Sequence, residues 1–143
     1  MSALTFLIRY ALIFMLFAVS AAAQKDRFVG NFVAEDPNTR GITRLVLLAD
    51  DQINIWGRCH PTDCDWGTEY TFTYGPAVEA DPKASADTLM AVYEPGFATK
   101  VVIITPLSDD RLRVEVFTSF NDRSRRSPYK LSQIMVREEM FQR

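Results

Sequence analysis

Histidine occurs once in this chain, at His60, and cysteine twice, at Cys59 and Cys64. These shortages remove several kinds of chemistry. A structural zinc site needs a second Cys/His pair, which the chain lacks. Neighbouring residues on a strand point to opposite faces, so Cys59 and His60 converge poorly on one ion. Thioredoxin-like redox work uses Cys-x-x-Cys at a helix start, and here four residues separate the thiols. Histidine-based hydrolysis would fall to a residue in a turn, with no Gly-x-Ser-x-Gly nucleophile to serve. We expect no metal, no cofactor and no catalytic residue.

Charge of one sign is also scarce. The chain carries 16 basic and 18 acidic residues, so it has no global attraction to nucleic acid or to anionic membranes. Helical periodicity is missing everywhere except the final stretch, Val136 to Arg143. After the first two dozen residues there is no long apolar run. In that leading segment, Arg9 precedes an apolar stretch from Tyr10 to Val19, then Ser20 to Ala23. Ala21-x-Ala23 fits the small-residue pattern at which signal peptidase cuts. The rival reading is an uncleaved anchor, but the uncharged run falls short of the roughly 20 residues a spanning helix needs. Residues 1–23 are therefore expected to be a signal peptide, with no transmembrane span after cleavage. No cysteine near the cut offers a site for a lipid anchor. The remaining 120 residues, 24–143, suit one domain with a net charge of −3 once Arg9 is gone. Export points to a secreted or periplasmic, oxidising location, where two cysteines pair and stay paired.

What the chain does have is a series of short runs rich in Val, Ile, Thr, Phe and Tyr, separated by turn residues. The expected strands are 28–34, 42–49, 52–58, 66–74, 88–94, 99–105, 111–120 and 128–137. Asp36-Pro37-Asn38, Ala49-Asp50-Asp51, Gly75-Pro76, Pro95-Gly96 and Ser108-Asp109-Asp110 mark the turns between them. Short connections favour pairing in sequence order. The expected fold is all-β, a small antiparallel up-and-down barrel of about eight strands, with a two-sheet β-sandwich as the alternative.

The segment WGRCHPTDCDWG, residues 56–67, holds both cysteines and the histidine. A hairpin with Cys59 opposite Cys64 sets Gly57 against Trp66, Trp56 against Gly67, Ile53 against Tyr70 and Arg58 against Asp65. This register collects apolar residues on one face and polar ones on the other. Each indole would then cover a cross-strand glycine, and opposed cysteines come close to disulfide spacing. The register places Trp56, Arg58 and His60 outward, as a candidate interaction surface for a protein or glycan. It places Trp66, Tyr70, Phe72 and Tyr74 inward, as a candidate ligand face for a small molecule. Asp50-Asp51 and Asp109-Asp110 read as solvated turns. The basic run 121–126 reads as a solvated loop, or as a hold for a phosphate, a sulfated sugar or a lipid headgroup.

Asp36-Pro37-Asn38-Thr39-Arg40-Gly41-Ile42-Thr43-Arg44 followed by WGRCHPTDCDWG resembles a group of bacterial secreted proteins with a W-G-x-C-x-P-x-D-C-D-W-G motif and no established activity. The likeness spans most of the mature chain, including Phe120-x-Asp122. A broader likeness is to calycin barrels such as lipocalins and avidins. Those open with Gly-x-Trp, where this chain has Gly30-Asn31-Phe32. In that family a basic residue of the last strand packs over the aromatic, which implies Arg137 or Lys130 here. The leading expectation is an exported, non-catalytic binding module of unknown ligand. An envelope-associated interaction or inhibitor-like protein and a carboxylate-based hydrolase are the alternatives.

Overall fold

A computed structural model describes residues 27–141; the expected signal peptide lies outside them. The strands are β1 (Gly30–Ala34), β2 (Ile42–Leu47), β3 (Gln52–Gly57), β4 (Cys64–Tyr70), β5 (Phe72–Tyr74), β6 (Thr88–Tyr93), β7 (Ala98–Pro106), β8 (Arg111–Phe120) and β9 (Tyr129–Arg137), followed by a short helix α1 (Glu138–Phe141). All ladders are antiparallel, and the sheet runs β4-β3-β2-β1-β9-β8-β7-β6-β5. Strands pair in chain order except β4 with β5, and β1 also pairs with β9. The result is one nearly closed barrel, not two stacked sheets.

The expected strand 66–74 is two strands. At Thr71 both the backbone N–H and the hydroxyl donate to the Asp51 carbonyl, at 2.7 and 3.0 Å. That bend sends β4 along β3 and β5 along β6. One continuous segment therefore borders both edges of the sheet. Among the described residues no ladder joins β4 to β6, which leaves a seam in the wall.

The β3–β4 register differs from the expected one by two residues beside the disulfide, where Gly57 pairs with Cys64 rather than Trp66, and by one residue further along, where Ile53 pairs with Glu69 rather than Tyr70. A bulge at Trp66-Gly67 separates the two stretches, where the ladder shifts between Asn54 and Trp56. Gly67 sits at φ +89°, where a side chain would be strained, and its N–H donates to Asp65 Oδ1 at 2.8 Å. An extra residue at a bulge reverses the facing of everything after it. Trp66 still turns inward, but Tyr70, Phe72 and Tyr74 turn outward, with 66%, 58% and 46% of their surface exposed. Trp56 does not cover Gly67, which has open space above it.

Elsewhere alternation builds the core directly. On β8, Leu112, Val114, Val116 and Thr118 are buried and the residues between them are not. Phe28, Phe32, Leu47, Ile53, Leu89, Ile104, Leu112 and Met135 fill one end of the barrel. Arg137 closes that end. Its Nη1 donates to the Val29 carbonyl at 2.7 Å, and Nη2 donates to the Arg27 and Asp109 carbonyls, each at 3.0 Å. Its guanidinium lies 4.7 Å from the centre of the Phe32 ring, a cation–π contact. Gly30, at φ +139°, is required here, because a Cβ would collide with Nη1.

Candidate functional site

The opposite end is open. The connections 35–41, 58–63, 94–97 and 121–128 all leave the barrel there, as the up-and-down strand order requires. Between them lies a cavity of about 620 Å³. That is within the range of about 300–1,000 Å³ typical of small-molecule sites.

Three devices shape this mouth. Cys59 and Cys64 form a disulfide, with Cα atoms 5.5 Å apart. Cys59 lies beyond the end of β3 and Cys64 begins β4, so the bond staples a loop to a strand rather than spanning two opposed strand residues. Closing so short a loop contributes about 2 kcal/mol on a chain-entropy basis. Arg58 then ties this loop to the 35–41 connection. Its Nη2 donates to the Pro37 carbonyl at 2.8 Å, Nε to Thr39 at 3.2 Å, and its backbone N–H to Gly41 at 2.8 Å. Its ion pair is with Asp63, at 3.6 Å, not with Asp65. The third device is Arg126, whose guanidinium lies 3.9 Å from the Phe120 ring centre and 5.6 Å from that of Phe97. Phe120 stacks in turn on Tyr129, with centroids 6.1 Å apart. The Ser124 hydroxyl, ahead of Arg126, holds the Asp122 carboxyl below the usual carboxylate range.

Register stacks the inward residues in layers. Tyr93 lies opposite Lys100, Lys100 opposite Thr118, and Thr118 opposite Tyr129. This polar row crosses four strands and lines the cavity. One step deeper, Ala91, Val102, Val116 and Leu131 form an apolar row in the same manner. Trp66 supplies the facing wall. Its indole covers Gly57, where a Cβ would come within 2.7 Å of Trp66 Nε1. Its ring meets Tyr93 edge-on at 5.8 Å across the seam.

The polar row is unevenly satisfied. The Tyr93 hydroxyl donates to the Ile53 carbonyl at 3.0 Å. Burial, and then the charges of Glu69 and Asp65, push that hydroxyl well above the usual tyrosine value. Lys100 Nζ sits 3.6 Å from the Trp66 ring centre. Among the described residues it has no ion pair and no hydrogen bond, and burial pushes its ammonium below the usual lysine value. Thr118 is only 2% exposed, and its Oγ1 has no partner. A buried hydroxyl without a partner costs about 1–3 kcal/mol. The floor beneath is apolar.

Other residues expected to matter lie apart from this cavity. Trp56 faces outward, as expected, but Arg44 lies 3.8 Å over its ring. His60 is exposed in the disulfide loop, beside a cis bond to Pro61. Asp50-Asp51 and Asp109-Asp110 sit in the β2–β3 and β7–β8 turns, at the packed end. Of the expected ligand face, Trp66 alone reaches the cavity. Among the described residues no three His, Cys, Asp or Glu side chains are grouped to hold a metal, and no helix is long and apolar enough to cross a membrane. Comparison with family models, curated proteins and solved structures finds no match.

Proposed function

We propose that the protein is an exported, non-catalytic binding module that takes one small molecule into the mouth of its barrel. The single observation behind this reading is the 620 Å³ cavity, with an apolar floor under a polar row in which Lys100 and Thr118 lack partners among the described residues. An oxidising, secreted or periplasmic location is supported by the disulfide. The likeness to calycin barrels is supported by Arg137 stacked over Phe32, which occupies the place of the family's tryptophan. An outer contact surface at Trp56, Arg58 and His60 has less support, since Arg58 is engaged by three partners within its own chain.

The test uses the neutral apolar dye N-phenyl-1-naphthylamine, titrated by fluorescence. Saturable binding at one site is expected. Leu131→Trp, which fills the mouth from the β9 side, is expected to abolish it while leaving the thermal midpoint within a few degrees. Undiminished dye binding by that variant would place the site elsewhere.

A further inference from the structure

Lys100 and Thr118 are cross-strand partners, and neighbouring side chains of this kind have Cβ atoms about 5 Å apart. One is a cation without a counter-ion among the described residues, the other a hydroxyl without a partner. Both line the cavity. A barrel interior rarely keeps a buried hydroxyl such as that of Thr118 without a partner, because this destabilises the fold, and here a half-buried ammonium stands beside it. Together they supply an ammonium and an O–H donor at one point in the wall. An anionic oxygen pair fits between them, and a carboxylate has two such oxygens in one plane.

The charge of the ligand follows from the surroundings. Lys100 is the cation of the inward row and neutralises one negative charge. Arg40 and Arg58 also line the mouth, but Asp65, Glu69 and Glu94 outnumber them, so a second negative charge meets no surplus of positive charge. A phosphate dianion is therefore disfavoured. The body of the ligand follows from the walls. Trp66, Tyr93, Phe97 and Tyr129 are the aromatic lining, over a floor of Val116 and Leu131. Aromatic rings pair with flat aromatic bodies beyond simple area burial. We propose that the cavity selects a small aryl monocarboxylate, its carboxylate held by Lys100 Nζ and Thr118 Oγ1 and its ring lying against the aromatic wall. This rests on the reading of the mouth as a binding site.

The experiment is calorimetric titration of the whole exported protein with three probes. These are 3-phenylpropanoate, the neutral alcohol 3-phenylpropan-1-ol, and the saturated analogue 3-cyclohexylpropanoate. A charge-assisted contact of ordinary strength corresponds to a preference of at least about 10-fold for the phenyl acid over the alcohol. The phenyl acid is also expected to bind several-fold more tightly than the cyclohexyl acid, though the latter is the more hydrophobic. Lys100→Met should erase the acid-over-alcohol preference. Lys100→Arg should keep the preference, and guards against misfolding as the cause. Thr118→Val should weaken acid binding alone, by about 3-fold or more. Equal binding of acid and alcohol, or a preference unchanged in Lys100→Met, overturns the carboxylate site while dye binding keeps the pocket. A tighter cyclohexyl acid overturns the aromatic body. Failure of the neutral dye as well as all three probes overturns the pocket itself.

Discussion

At one end of the barrel Arg137 donates from all three guanidinium nitrogens; at the other, Lys100 donates to nothing in the described chain. Both are cations on strands of the same sheet, and both stack on an aromatic ring. At the Arg137 end the fold has supplied a carbonyl for each of that arginine's three nitrogens, leaving Arg27 Nε unpartnered, and filled the remaining space with apolar side chains. At the Lys100 end the donors stay open and the space stays empty. The first arrangement is what stability alone requires. The second costs stability and is tolerated where a ligand completes it.

The contrast can be broken first at the packed end. Phe32→Ala removes a fully buried ring and the surface on which Arg137 rests, with an expected loss of about 3–5 kcal/mol in urea unfolding. Ligand binding by the fraction still folded should be nearly unchanged. The disulfide comes next. Replacing Cys59 and Cys64 together with serine should cost about 2 kcal/mol, and unlike Phe32→Ala it should also weaken binding, because the staple shapes the mouth.

At the open end the sign reverses. Thr118→Val keeps the shape and removes the unpartnered hydroxyl, so unfolding should show a gain of about 1 kcal/mol together with weaker ligand binding. Lys100→Met should also stabilise, with a pH signature. The unfolded lysine holds its proton up to about its ordinary value of 10.5, whereas the folded one releases it at lower pH. Between those two values the unfolded state binds more protons, so the native protein gains stability as pH rises. The cost of Lys100 is thus fully present below its folded value and is relieved toward pH 10.5. Unfolding measured from pH 7 to 10 should show the advantage of the Met variant shrinking. A constant advantage would mean that the buried charge is not its source. The smallest effect is expected on the outer wall. Tyr70→Ser and Phe72→Ser should each shift stability by less than about 0.5 kcal/mol, where an inward register would have made them core substitutions.

Those two aromatics show where sequence reasoning stops. Runs of alternating residues gave the correct faces of β3 and β8, because nothing interrupts their period. The period of 66–74 looked just as regular, with five apolar or threonine residues in phase from Trp66. Gly67 inserts an extra residue through a positive φ, and all positions after it reverse. The signal was present in Asp65-Trp66-Gly67, since an aspartate two residues before a glycine readily accepts its N–H. The cysteine pair suited the unbulged register equally well, because a disulfide tolerates a range of Cα separations. The Thr71 bend left less trace, for its hydrogen bonds go to Asp51, twenty residues earlier. Lys100 was legible and passed over. Ala98, Lys100, Val102 and Ile104 share one phase, so a lysine stands in the inward set of a buried strand. Thr118 stands likewise behind Leu112, Val114 and Val116. A polar residue in the apolar phase marks the pocket more directly than any cluster of unusual residues, and WGRCHPTDCDWG drew attention to the architecture around it instead.

The seam between β4 and β6 gives the wall a direction in which it yields. Spreading any other pair of neighbouring strands breaks ladder hydrogen bonds. Spreading β4 from β6 breaks no ladder bond and parts side-chain contacts alone, those of Trp66 with Tyr93 and Lys100 and the bond from the Tyr93 hydroxyl to Ile53. The aperture of this vessel is therefore adjustable on one side and fixed on the others, so bulk presented toward Trp66 is accommodated where the same bulk presented toward Thr118 is refused.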